Sequence, residues 1–169
     1  MEAASLFTLG YAASAGGYKN ETDMIPFERL ASQFADPVDA AKFPQPVLRW
    51  RNQRWAEGTG LGGLDDAAWR EHFTRFAPLP GNLPRPLAMR YHGHQFGTYN
   101  PDLGDGRGFL FAQVRDTDGR LLDLGTKGSG QTPWSRRGDG RLTLKGGCAK
   151  SWPPAIWKPS ASTPRRPSA

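Results

Sequence analysis

Acidic residues are absent from the last 22 positions, cysteine occurs once, and no stretch approaches the roughly 18 consecutive apolar residues of a membrane span. Each absence excludes something. A lone Cys148 cannot close an internal disulfide, which fits a reducing compartment. The N-terminal "MEAASLFTLGYAASAGG" lacks the basic start of a secretory signal and the arginines of an organelle-targeting segment, so the sequence predicts a cytoplasmic protein with no membrane contact. Hydrophobic residues fill only 37% of 169 positions against 21 Gly and 15 Pro, too loop-rich a composition for a helical bundle.

The formal net charge of +6 invites a nucleic-acid reading until it is mapped along the chain. Eighteen of the 22 basic residues and all 16 acids lie in residues 1–147, while residues 148–169 hold four basic residues and no acid. The excess is therefore mostly a property of the tail. Its charges are interspersed with prolines and draw no stripe, so a basic nucleic-acid binder is the weakest of three readings.

Three regions are expected: a mainly helical 1–86, a glycine-rich β region 87–147, and a basic Pro/Ser-rich tail 148–169 without order. Residues 1–26 look small, polar and irregular. "PFERLASQFA" (Pro26–Ala35) has a proline entry and apolar Phe27, Leu30, Ala31 and Phe34 at helical spacing. A turn of helix is expected around Asn52–Glu57. Leu64–Ala77 is the best helix, with Asp at its cap and Ala68, Trp69, His72, Phe73 and Phe76 on one stripe. His72 reads there as a packed, hydrogen-bonded residue, since metal sites need several converging donors. His92 and His94, two apart, would share one face of a strand, but no further ligand is evident and a structural role is favoured. Gly108–Val114 and Arg120–Lys127, joined by "RDTDG", read as a β-hairpin.

Two copies of Gly-Asp-Gly-Arg, at Gly104–Arg107 and Gly138–Arg141, stand 34 residues apart with "TKGSG" between them. Asp-Gly commonly closes tight turns. Two glycines around a carboxylate, followed by a guanidinium, also suit a backbone that approaches a phosphate closely, and a lysine at a strand end can neutralise that charge. "GTKGSGQT" (Gly125–Thr132) has Walker-like spacing, but Gln131 stands in the lysine position and Pro133 follows where a helix should open, which excludes a P-loop. Spacing alone leaves a phosphate cradle and a turn-rich β domain level.

"YHGHQFGTYNPDLGDGRGFLFAQV" and "TKGSGQTPWSRRGDGRLTLKGG", in that order, resemble the selenoprotein O (YdiU) family, which carries Gly-His-Gln-Phe-Gly, Leu-Gly-Asp-Gly-Arg, Lys-Gly-(Ser/Ala)-Gly-x-Thr-Pro-(Tyr/Trp)-Ser-Arg and Gly-Asp-Gly-Arg. The likeness is dense over Tyr91–Gly147 and looser through "PVLRWRNQRWAEGTGL". It implies an α+β chain forming the N-terminal portion of a protein-kinase-like fold that binds ATP in a flipped orientation and transfers AMP to protein hydroxyls. It further implies that Gly104, Gly106, Arg107, Asp139 and Gly140 contact the nucleotide and that Lys127 corresponds to the kinase strand lysine. ATP, Mg2+ and protein substrates are the partners implied.

The family continues beyond its second Gly-Asp-Gly-Arg into a helix whose glutamate pairs with that lysine, and then into a core with the catalytic aspartate and the magnesium ligands. Cys148–Ala169 follows no such pattern: it has five prolines and no acid, and no regular helix is expected there. Read one base back, permitted codons for Gly147–Trp152 (GGG TGC GCG AAG TCC TGG) give Val-Arg-Glu-Val-Leu, similar to the family's Arg-Glu-x-Leu. An out-of-frame tail is therefore expected, with no catalytic or metal residue in the chain and no AMP transfer by it alone. A non-catalytic nucleotide-binding module is the second reading.

Overall fold

The computed structural model describes residues 3–4, 6–11 and 30–151, with side chains described for residues 30–147. The sequence produces α+β architecture: short helices laid against an antiparallel sheet. The strands are β1 (Ala3–Ala4), β2 (Leu6–Tyr11), β3 (Ala35–Pro37), β4 (Leu87–Gln95), β5 (Thr98–Gly104), β6 (Leu110–Arg115), β7 (Leu121–Lys127) and β8 (Leu142–Thr143). The helices are α1 (Ala31–Phe34), α2 (Gln53–Gly58), α3 (Asp66–Thr74) and α4 (Leu144–Ser151). The main sheet runs β2-β7-β6-β4-β3, with β5 paired to β4 beside this path. β1 pairs with β8 separately.

The β6–β7 hairpin forms where expected. Asp116 closes its turn by accepting the amides of Asp118 and Arg120, and Gly119 supplies the positive φ of 78°. Every residue of β6 before Arg115 is buried. Phe109 and Phe111 meet Phe76 with ring centroids 5.8 and 6.1 Å apart, and Phe73 packs on Phe111 at 6.1 Å. α3 thus covers one sheet face with the aromatic stripe legible in its sequence. Its entry is capped by Asp65, which accepts from the Ala68 amide at 2.8 Å. His72 bonds the Ala77 carbonyl oxygen through Nδ1 at 2.9 Å, a local structural role. Asn52 caps α2 by accepting from the Trp55 amide.

Where β6 runs beyond its single pairing with β4 at Leu110, the Asn82 side chain acts as a substitute strand, donating to the Gln113 carbonyl at 2.6 Å and accepting from the Gln113 amide at 3.0 Å. A smaller cluster of Ala35, Leu83, Leu87 and Leu110 lies apart from the main core.

Several expectations need correction. Among the described residues of 1–86 helix does not predominate: within the stretch read as irregular, Leu6–Tyr11 is a strand that pairs with β7 from Leu6↔Lys127 to Tyr11↔Leu122. Its Leu, Phe, Leu and Tyr were overshadowed by the glycine, alanine and serine that follow. Of the helix expected over Pro26–Ala35, the described part is only Ala31–Phe34; Leu30 and Phe34 remain about half exposed, and Ala35 already belongs to β3. Pairing with β4 outweighs the helical spacing there. The polar run after Arg90 is a β4–β5 hairpin, turned by Phe96 and Gly97 with φ of 54° and 79°.

The core also crosses residue 86, joining Val38, Ala56, Trp69 and Phe73 to Ala88, Phe109 and Leu124. α4 continues through Ser151, past the Cys148 boundary set for an irregular tail, because no proline occurs before Pro153. Of the tail Cys148–Ala169 expected to be out of frame, residues 152–169 lie outside the described residues.

Candidate functional site

A cleft of about 980 Å³ opens between the β4–β5 hairpin, the turn leading into β6, the end of β7 and the loop 128–141. Gly104, Gly106, Arg107, Lys127, Asp139 and Gly140, the six residues singled out from sequence, all line it. β7 carries Lys127 to the rim. Its end is fixed by Thr126 N–H donating to the Phe109 carbonyl at 2.8 Å and Gly128 N–H donating to the Arg107 carbonyl at 2.6 Å. The first glycine turn and the lysine strand are thus backbone neighbours.

The glycines have a reason that sequence reasoning did not reach. A Cβ on Gly104 would run into the Trp134 indole, one on Gly108 into the Thr126 carbonyl, and one on Gly140 into the Gly130 carbonyl. Gly140 also holds a φ of +69°, which an L side chain rarely adopts. Close approach is the correct physical principle, but at these three positions the approaching group is the chain itself.

Loop 131–136 is fastened across the first turn. The Thr132 hydroxyl donates to the Asp105 carbonyl, the Ser135 hydroxyl donates to the Gly106 carbonyl at 2.5 Å, and the Trp134 amide donates to Thr132 Oγ1 at 3.1 Å. Trp134 packs partly buried against the main core, and its Nε1 donates to Asp36 Oδ2 at 3.0 Å. Asp36 in turn holds Arg90, whose Nε donates at 3.0 Å and whose Nη2 reaches the other carboxylate oxygen. The Arg90 hydrogen bonds keep the Asp36 carboxyl below its ordinary value, against the opposing effect of burial, and Trp134 adds to the lowering. Arg136 reaches back to Gln95 Oε1 at 3.3 Å, and the Tyr91 hydroxyl donates to the Gly104 carbonyl at 3.1 Å.

The cleft's charge is mixed: Arg107, Lys127, Arg136 and Arg141 face Asp102, Asp105 and Asp139. Asp139 is engaged in its own turn, accepting from the Arg141 amide at 2.9 Å. Asp105, which sequence reasoning passed over although it lies inside the motif, is only partly exposed; burial raises its carboxyl, while the Met89 amide and the Lys127 charge pull it down. Burial and the Asp105 charge together raise the Tyr91 phenol.

His92 Nδ1 lies 3.2 Å from the Tyr99 hydroxyl, and His94 meets the same ring edge-on at 5.6 Å. Among the described residues no three His, Cys, Asp or Glu side chains converge as metal ligands.

The family model for protein adenylyltransferase SelO matches residues 20–151. The chain belongs to the SelO family. Similar proteins include the protein nucleotidyltransferase YdiU of Synechococcus elongatus, 59% identical over 123 residues covering 72% of this chain and 24% of the relative. That of Synechocystis is 57% identical over 133 residues, or 77% and 27% of the two chains. The YdiU protein of Aliivibrio salmonicida is 47% identical over 109 residues, covering 60% and 22%. The chain thus spans about a quarter of the length of the curated relatives it matches. The SelO match includes both Gly-Asp-Gly-Arg walls, the lysine strand and the Trp134 loop fastened over them. Among the described residues no helix is long and apolar enough to cross a membrane.

Proposed function

We propose that the cleft binds the polyphosphate of ATP, and that a longer protein containing this segment transfers AMP from ATP to hydroxyl side chains of protein substrates within a protein-kinase-like fold. The observation that carries this reading is the convergence of Arg107, Lys127 and Asp139, drawn from two distant motifs and a strand between them, on one hollow of about 980 Å³. That volume suits a nucleotide-sized ligand. Arg107 and Lys127 bring the fixed charge that attracts phosphate oxygens, Arg107 as a forked donor and Lys127 as a point charge. Gly106 keeps the first turn low beneath the Trp134 carbonyl, where a Cβ would come within 3.1 Å.

Family membership supports nucleotidyl transfer as the reaction class. The roles of this segment's residues are to bind and orient the triphosphate. Titration of the 169-residue chain with a fluorescent ATP analogue tests the reading. Saturable binding that weakens about tenfold or more in Lys127→Ala is expected, from loss of a charge-assisted contact. Equal binding by the two proteins would remove Lys127 from the site, and no binding by wild type would remove the cleft.

A further inference from the structure

Arg107 and Lys127 answer the charged end of a nucleotide, and nothing in that pair distinguishes ATP from bare triphosphate. Resting on the polyphosphate reading of the cleft, we propose that Tyr91 of β4 is the platform on which the nucleobase stacks, the residue through which the base adds to binding. Three observations single it out.

The ring is tethered to the glycine wall. Its hydroxyl donates to the Gly104 carbonyl at 3.1 Å, in the same turn that carries Arg107, so a base covering the ring sits within reach of phosphates held by that turn. Second, the register of the β4–β5 hairpin shifts between Tyr91 and Gly93, an irregularity of the kind that re-aims a side chain beside a binding site. Tyr91 stands opposite Leu103, which leads directly into Gly104. Third, Tyr91 lines the cleft yet is half exposed, and among the described residues no other ring packs on it. The two other rings that line the cleft are occupied: Trp134 packs on the main core and donates to Asp36, and His94 meets Tyr99 edge-on. A ring fixed at its polar tip loses little freedom when a flat ligand covers it, and stacking asks of the base only a π face. Being uncharged, the ring adds no attraction for phosphate itself. Its contribution is therefore confined to ligands that carry a base.

The test uses the 169-residue chain, with unmodified ATP and inorganic tripolyphosphate as probes. In calorimetric titrations, Tyr91→Ala weakens ATP binding about fivefold or more and leaves tripolyphosphate binding unchanged, whereas Tyr91→Phe, which keeps the ring, stays within about twofold of wild type for both. An equal fall for both ligands means that Tyr91 only shapes the glycine wall, and overturns the proposal. So does undiminished ATP binding in Tyr91→Ala, or a loss in Tyr91→Phe as large as in Tyr91→Ala, which would assign the contact to the hydroxyl. The second readout needs no folded variant: the Tyr91 ring protons in wild type, followed by NMR, move upfield under the ring current of the base when ATP is added and do not when tripolyphosphate is added. If Tyr91→Ala fails to fold, these resonances decide alone. Tripolyphosphate binding with ring protons unmoved by ATP overturns the platform and leaves the polyphosphate reading standing. An upfield shift with ATP, but no binding of tripolyphosphate, does the reverse. Binding of neither probe overturns both.

Discussion

At the residue scale, the glycines of the two motifs are set by what lies against them. Gly104 carries the Trp134 ring, so Gly104→Ala must displace the indole or the turn. The variant is expected to lose about 1–3 kcal/mol by overpacking and to show a red-shifted tryptophan emission, measured by urea unfolding and fluorescence. Gly119, with φ of 78° and nothing within 4 Å of its would-be Cβ, answers to backbone strain alone. Gly119→Ala is expected to lose only about 1 kcal/mol. A larger loss at Gly119 than at Gly104 would contradict this account.

At the element scale, the loop over the cleft is tied to β3 and β4 through a titratable joint. Asp36, Arg90 and Trp134 link three segments, and the Asp36 carboxyl is lowered chiefly by Arg90. A depressed carboxyl contributes stability that is present above its ordinary value of 3.8 and is lost as pH falls through the lowered folded value. Acidification below pH 3.8 is therefore expected to release the Trp134 loop, read as a change in near-ultraviolet circular dichroism. In Asp36→Asn the acid-dependent step should vanish, whereas its persistence would assign it to another carboxylate. α3 depends on burial instead. Phe73→Ala removes a ring stacked on Trp69 at 4.2 Å and packed on Phe111, and is expected to cost about 3–5 kcal/mol in chemical denaturation.

At the scale of the whole molecule, one core spans the expected boundary at residue 86. Segments that share a core unfold together, so amides of α3 and of β6 are expected to exchange with the same global free energy; protection differing by more than about 1.4 kcal/mol, a tenfold ratio, would restore two units. Longer SelO relatives supply the rest of the chain that this segment meets in them, since it covers 24% of the Synechococcus protein.

The sequence by itself determined the elements whose signals are local and uncontested. Asp65 and Asn52 cap their helices, "RDTDG" turns the β6–β7 hairpin, and the aromatic stripe of α3 faces a core. It also singled out six residues that line one cleft. Tertiary structure decided whatever depends on a partner far along the chain. Leu6–Tyr11 is a strand because β7 offers it an edge, and Ala35 leaves its helical spacing because β4 offers another. The end of β7 meets the first glycine turn because main-chain bonds from Thr126 to Phe109 and from Gly128 to Arg107 bring the strand there. Local preferences are written residue by residue, whereas a backbone donor finds its distant acceptor only when the whole chain closes.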